Sequence, residues 1–418
     1  MEPNEQLYAF WLQLACGIAN HVYLHLFTHF SSFREIYECE DFSFLNGKYR
    51  CVTALRDKNL DQAYELQKRC KSMQLHVIPY YDERYPKGLR LIYAPPAILY
   101  GIGQLHDLNE MVGVAVVGTR RPTEYGMQIA EDFAFYMTLC GASIVSGLAI
   151  GIDVSAHRGA IKADGYTVAV LGTPIDEIYP KENTRAFHTL YQRGLVLSEM
   201  YPGCPRSRMD FPHRNRLISG ISQAVLIAEA PEGSGALITA KDAITQVRPL
   251  YAIPGALGDA HAGTNQLIKK GVRVATEARD ILNDLSLSFP TKIHPEYLFS
   301  TPRIYAYGNQ SPVRKMTNDP LFDDSPYPEP VFESPEPEPA SAPAPKQKSP
   351  ETETPQQESF AGTNAEKILH ALRERPLTAD ELTAETGIGV ADLLAELTIL
   401  EIEGSVKSAA GNRFTRTK

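Results

Sequence analysis

A chain of 418 residues with 43% hydrophobic and 22% charged residues has material for two or three packed domains, and no apolar run approaches the length of a membrane span. The six cysteines are scattered, without a Cys-x-x-Cys pair or histidines at ligand spacing, and Met1–Ala15 lacks the basic cluster of a targeting peptide. A cytoplasmic chain without metal, disulfide or membrane contact is therefore expected. The formal net charge of −9 argues against a polyanionic partner, but residues 111–284 are charge-balanced and the excess acid lies outside them. A local basic patch remains open to that central part.

In chain order, residues 1–75 place Leu, Phe and Tyr at three- and four-residue spacings between Tyr8 and Leu45 and again between Leu60 and Met73. This predicts short helices joined by turns in a small all-α domain. Its Cys16-Gly17-Ile18-Ala19 is similar to part of a helix-hairpin-helix or SAM-like module, although a structural cap on the next domain explains the same residues. Tyr80–Tyr100, with Ala94-Pro95-Pro96 and a strand-like Ile98–Tyr100, reads as a covering connector into the main sheet.

From Val112 the pattern alternates. Strands are predicted at Val114–Val117, Ser143–Val145, Thr167–Leu171, Leu195–Leu197, Ala224–Ile227 and Pro249–Ile253. Helices are predicted at Met127–Leu139, Val154–Ala163, Asn183–Gln192, Arg214–Ile221, Ala236–Gln246 and Asn265–Lys270. Short apolar strands alternating with amphipathic helices give an α/β fold with a mainly parallel, doubly wound sheet, which collects ligands at the carboxyl ends of its strands. The 286–361 segment holds half of the chain's 30 prolines and the run Pro335-Glu336-Pro337-Glu338-Pro339, the composition of an extended, disordered linker. Over 362–418, helices at Asn364–Arg373, Thr378–Thr386 and Val390–Ile402 followed by a hairpin at Ser405–Arg416 make a winged-helix pattern.

The first strand ends at Gly118-Thr119-Arg120-Arg121, just before a helix. Backbone N–H groups at a helix start have no partners of their own, so a phosphate is a natural occupant there, and two guanidinium groups strengthen that expectation. There is no G-x-G-x-x-G, no acidic residue placed to take a ribose and no phosphate-binding G-x-x-x-x-G-K-S/T, so no nucleotide cofactor is expected. What stands instead is a set of single cations on successive strand ends: Arg120, Lys181, Arg214 and Arg216, with Arg121, Arg206 and Arg208 adding to the patch. That arrangement suits consecutive phosphates of a single-stranded nucleic acid, with Tyr179, Asn183, Phe187, Phe211 or Asn215 to meet unstacked bases. The competing reading pairs Arg214 and Arg216 with Glu199 or Asp210 inside the fold. Asp153 and His157, four apart on a helix, lack a third ligand and read as structural. Ser234 lacks the nucleophile-elbow pattern, so acyl transfer is not expected.

Several phrases together resemble the DNA-processing protein A (DprA/Smf) family. They are Val116-Val117-Gly118-Thr119-Arg120-Arg121-Pro122-Thr123-x-Tyr125-Gly126, Ile144-Val145-Ser146-Gly147-Leu148-Ala149-x-Gly151-Ile152-Asp153, Tyr179-Pro180-Lys181-x-Asn183, Phe211-Pro212-x-Arg214-Asn215-Arg216-x-Ile218-x-Gly220 and Ser234-Gly235-Ala236-Leu237-Ile238-Thr239. The resemblance covers about Tyr80 to Asp284. It implies an extended Rossmann-like core over 76–285 and a homodimer that binds single-stranded DNA and helps load RecA recombinase in natural transformation. It also implies a DNA pocket centred on Arg120 and Lys181, with Gly118, Thr119, Asn183, Arg214 and Asn215 around it, and no catalysis. Thr119 stands where the family usually has serine, and Gln246-Val247-Arg248-Pro249 replaces its usual glycine-arginine. The third tail helix carries Asp392, Glu396, Glu401 and Glu403 without Lys or Arg, a poor reader of duplex DNA. The rival reading is a phosphoribohydrolase-like enzyme that uses Gly233-Ser234-Gly235-Ala236 as a phosphate loop, but no glutamate follows at the catalytic position.

Overall fold

The computed structural model describes residues 4–45, 49–207, 209–300, 364–372, 375, 377–388, 393, 396–397, 400, 406–409 and 413–417. Four helices come first, α1 (Glu5–Cys16), α2 (Val22–His29), α3 (Phe33–Glu38) and α4 (Asp61–Ser72). Their starts are set by local chemistry: Asn4 Oδ1 caps α1 by accepting from Leu7 N at 3.0 Å, and Ser32 Oγ caps α3 by accepting from Glu35 N at 3.1 Å.

Then follow β1 (His76–Pro79), β2 (Ile98–Gly103), β3 (Gly113–Val117), α5 (Glu124–Leu139), β4 (Ser143–Ser146), α6 (Ile152–Lys162), β5 (Thr167–Leu171), α7 (Thr184–Arg193), β6 (Leu195–Ser198) and α8 (Asp210–Ile221). The run closes with β7 (Ala224–Ile227), α9 (Ala236–Thr245), β8 (Leu250–Ala252), α10 (Ala262–Lys269), β9 (Arg273–Val274) and α11 (Ala278–Ser288). The nine strands form one sheet in the order β1-β2-β6-β5-β4-β3-β7-β8-β9. From β6 to β9 every pair is parallel, while β2 joins β6, and β1 joins β2, antiparallel. Rather than only covering the sheet, the Tyr80–Tyr100 connector ends in β2 and follows β1, so this stretch extends the sheet. Helix α11 runs across position 285, where the sequence suggests the linker begins.

The strands are apolar on both faces because helices cover both. In β3, Val114 and Val116 pack among α5, α6 and α11, while Ala115 and Val117 pack among α8 and α9. Over the β1–β2–β6–β5 end the cover is the N-terminal helices themselves: Phe10 stacks on Tyr100 of β2 with centroids 6.3 Å apart, and one hydrophobic cluster runs from Leu7 through Val196. The chain leaves β3 towards β4, β5 and β6, then returns to the other side of β3 for β7, so the strand order reverses at β3. The carboxyl ends of β3, β4 and β5 lie at that switch point.

Residues 335–418 form a second compact unit. It holds α13 (Asn364–Ala371), β10 (Leu377–Thr378), α14 (Ala379–Thr386), β11 (Val406–Ala409) and β12 (Arg413–Arg416); in the first unit α12 (Tyr297–Ser300) follows α11. Its sheet order is β10-β12-β11, and Thr378 with Glu381 closes a capping box at the start of α14. This is the winged-helix arrangement. Of the expected acidic third helix, Asp392, Glu401 and Glu403 lie outside the described residues. Among the described residues no helix is long and apolar enough to cross a membrane.

Candidate nucleic-acid interface

The turn after β3 is built by close approach. Thr119 N donates to Glu229 O at 2.8 Å, and Ile152 N donates back to Thr119 O at 3.3 Å, so the first turn of α6 rests on this loop. Arg120 and Arg121 emerge exposed. The N-terminus of α5 does not wait for a phosphate, however. Thr123 Oγ1 caps it by accepting from Gly126 N at 3.0 Å, and the buried Glu229 carboxylate accepts from Thr123 N at 2.8 Å and from the Thr123 hydroxyl. A carboxylate of the chain's own thus fills the anion position expected from the sequence, for the same electrostatic reason.

The nearest opening lies one step across, over the ends of β3, β4 and β5. It is a solvent-open pocket of about 50 Å³, lined among others by Arg120, Gly147, Ala149, Gly172, Tyr179, Phe211 and Arg214. Arg214 comes up from α8 into its floor, 6% exposed, with Nη1 donating to Gly147 O at 2.8 Å and to Val170 O. The guanidinium lies so tightly under the β4 turn that a Cβ at Gly147 would collide with it. Burial lowers the Arg214 pKa to about 10, with Asp153 opposing and Arg120 adding to that shift, so the group stays charged at neutral pH. Asp153 in turn accepts from Gly147 N at 3.1 Å, and burial raises its pKa against the pull of Arg214. His157 is fully buried, bonded through Nδ1 to Thr167 Oγ1 at 2.7 Å, and burial lowers its pKa to about 3. Both residues are internal, as the sequence suggests.

The rim is aromatic and cationic. The Tyr179 and Phe211 rings stand 5.4 Å apart at 46°. Arg120 lies 5.0 Å from the Phe211 centroid, and Arg206 lies 4.8 Å from Tyr179 and 5.9 Å from Phe211. Arg206 is also ion-paired to Glu177, which holds it over the rings. The sequence places Arg206 in the general patch but not at this rim. Only the path of the loop before α8 brings it there. Lys181 is exposed and follows Pro180, which also lines the pocket.

The remaining expected site residues divide by burial. Gly118 and Thr119 sit inside the β3 turn as its frame. Asn183 is 4% exposed, and its Nδ2 donates to Leu148 O at 2.8 Å, so it props the β4 loop from within. Asn215 is half-buried, accepting from Arg214 Nε at 3.2 Å and donating to Gly235 O at 3.3 Å. Phe187 is fully buried and offers no stacking face. Arg216 corrects the expectation of a surface cation: it is 0% exposed, with Nη2 donating to both oxygens of Glu199 at 2.9 Å. For this residue the internal-pair reading holds. Arg208 lies outside the described residues. The Gly233-Ser234-Gly235 loop of the rival reading opens α9, with Ser234 Oγ accepting from Ala236 N at 3.4 Å. Among the described residues no group of three His, Cys, Asp or Glu side chains could hold a metal ion.

A mainly parallel, doubly wound sheet with a small cationic, ring-edged pocket at its switch point defines a Rossmann-like α/β protein. The family model for DNA recombination-mediator protein A matches residues 76–286, and that for the DprA winged helix domain matches 335–412. Protein Smf of Synechocystis sp. is 34% identical over 341 residues, covering 80% of this chain and 78% of that one. The DNA processing protein DprA of Bacillus subtilis is 39% identical over 212 residues, covering 50% and 71%. The X-ray structure of DNA processing protein A from Streptococcus pneumoniae aligns at 30% identity with a TM-score of 0.56, covering 68% of this chain and 98% of that one. The chain belongs to the DNA recombination-mediator protein A (DprA/Smf) family, a family of DNA-processing proteins.

Proposed function

We propose that the protein binds single-stranded DNA without catalysis, protects incoming strands in the cytoplasm and, as a homodimer, loads a RecA-class recombinase onto them during natural transformation. The observation that carries the DNA reading is the pocket. An exposed Arg120 meets a buried Arg214 within it, and two aromatic rings edge it. A single strand offers an accessible phosphate and an unstacked base side by side, whereas a duplex hides its bases from such a rim. Arg120 and Lys181 serve as phosphate cations, and Arg121 lies along the path. Arg214 supplies charge from below, while Gly118, Thr119, Asn183 and Asn215 hold the loops. Family membership supports the recombinase-loading and dimer parts of the reading. The working division of the chain is a helical region 1–75, a core 76–285, a linker 286–361 and a winged helix 362–418.

Binding of a labelled oligonucleotide, single-stranded against duplex, over a salt series tests the reading with wild type, Arg120→Glu and Lys181→Glu compared. Single-strand preference that weakens with salt and collapses in both variants is the expected result. Equal binding by variants and wild type would remove the pocket from the reading. Release of free base from a nucleotide would instead favour the enzyme.

A further inference from the structure

The two rings that edge the pocket are already covered by the protein's own cations. The Arg206 guanidinium lies over Tyr179, 4.8 Å from its centroid, and 5.9 Å from that of Phe211. Phe211 also carries Arg120 at 5.0 Å, and it packs so closely on Gly172 that a Cβ there would meet its ring at 2.7 Å. An unstacked base that seeks a ring face therefore meets a guanidinium first.

What holds Arg206 on the rings is one carboxylate. Its Nη1 donates to Glu177 Oε1, and the two side chains are 36% and 39% exposed. An ion pair that open to water is weak and easily exchanged. The backbone on either side of Arg206 is fixed independently: Gly203 N donates to Asp176 Oδ1 at 3.1 Å, and Ser207 N donates to Asp210 Oδ2 at 2.6 Å. Asp176 is anchored in turn by Arg69 Nη2 of α4 at 2.8 Å. Glu177 is placed by its own turn, where its carbonyl accepts from Thr173 Oγ1 at 3.1 Å. The Arg206 side chain can thus leave the rings while the loop that carries it stays docked.

We propose that Arg206 gates the pocket rim. In the free protein Glu177 holds it over Tyr179 and Phe211; an arriving single strand transfers it from Glu177 to a phosphate and uncovers the rings for a base. The inference rests on the single-strand reading above. A phosphate drawn in by Arg120 and Lys181 offers a guanidinium the same paired oxygens as a carboxylate, and its charge repels Glu177 from the rim. A ligand that brings a ring without a phosphate has nothing to exchange for Glu177. The gate therefore favours a strand over a free base or nucleoside.

The test measures binding of a labelled oligothymidylate to the full chain over a salt series, for wild type, Glu177→Gln, Glu182→Gln, Arg206→Ala and Arg120→Glu. Glu182 is an exposed carboxylate beside Lys181, so its variant reports the general effect of removing one negative charge from this face. Glu177→Gln should bind about two- to fivefold more tightly than Glu182→Gln, the worth of one exposed ion pair, with the wild-type salt slope. Arg206→Ala should flatten that slope by about 0.7, the share of one phosphate contact. A fully abasic strand of the same length should bind wild type about tenfold more weakly, since the uncovered rings have no base to take. A Glu177→Gln affinity equal to that of Glu182→Gln would overturn the gate, as would an unchanged slope in Arg206→Ala or equal binding of the abasic strand. Weaker binding by Glu177→Gln would also overturn it, marking a guanidinium that stays on the rings and stacks beneath the base. If wild type and Arg120→Glu bind alike, the single-strand reading itself fails, and the gate with it.

Discussion

Arg214 and Arg216 stand two positions apart on α8, about 200° apart around its axis, and they serve regions with different physics. The pocket that Arg214 floors is open to water, edged by rings and cations, and keeps part of its positive charge facing outward. The junction that holds Arg216 is closed: Glu199 accepts both hydrogen bonds of its Nη2, and the same carboxylate accepts from Ala19 N at 2.9 Å, joining α8, the end of β6 and the N-terminal helices. A cation already matched by a buried carboxylate has little left to offer a ligand. It specifies how the elements dock. A cation held by neutral carbonyls, as Arg214 is, retains its field for an incoming anion.

The sharpest way to break this contrast is to remove one side of the closed junction. Glu199→Ala leaves Arg216 buried without its carboxylate and should cost about 3–5 kcal/mol of folding stability, measured by denaturant unfolding. The double variant Glu199→Leu/Arg216→Met should be more stable than the single one. If Glu199→Ala costs less than 1 kcal/mol, roughly the worth of an exposed pair, the junction is not closed as described.

At the open pocket the signature should be reversed. Arg120→Glu should leave the melting temperature nearly unchanged, because the side chain is exposed, while single-strand affinity falls by about ten- to a hundredfold. The Arg120→Ala variant should flatten the slope of log affinity against log salt by about 0.7, the share of one phosphate contact on a single strand. A large stability loss without a binding loss in either variant would place Arg120 with Arg216.

A smaller effect is expected at the rim. Phe211→Ala should cost about 1–2 kcal/mol of single-strand affinity, within the range for a base stacked on one ring, and Phe211→Trp should keep it. Loss of affinity in both would point to displaced loops rather than lost stacking.

The smallest effect concerns pH at the closed side. Asp242, on α9 and within the field of Arg216, has its pKa raised to about 6 by burial, and its Oδ2 has no hydrogen-bond partner within the protein. A folded-state pKa above the unfolded one means that the folded chain favours the protonated acid. The stabilisation is complete below the ordinary carboxylate pKa and is lost as pH rises through about 6. Asp242→Asn should therefore raise stability at pH 7.5 by roughly 1–2 kcal/mol. That gain should shrink as pH falls through 6, read from melting curves across pH. A pH-independent gain would assign it to something other than titration.

Much of this architecture is legible in the sequence because its signals are local. The runs that become β3 to β8 are apolar, those of β3 to β6 end at glycine or serine, and the helices between them carry period-3.6 faces, so the alternating sheet follows from residues close to one another in the chain. The ring and cation types Arg120, Tyr179, Lys181 and Phe211 are legible because each stands in a short motif between a strand and the following helix or at that helix's start. Residue spacing could not say which cations stay outside, since Arg214, Asn215 and Arg216 differ only in the direction each leaves α8. Glu229 reaching the α5 cap from just beyond β7, Arg206 folding back over Tyr179, and β1 and β2 pairing antiparallel beyond β6 were all decided by the tertiary structure. Each depends on groups distant in sequence, and burial and pairing energies exist only once the fold has placed both partners together.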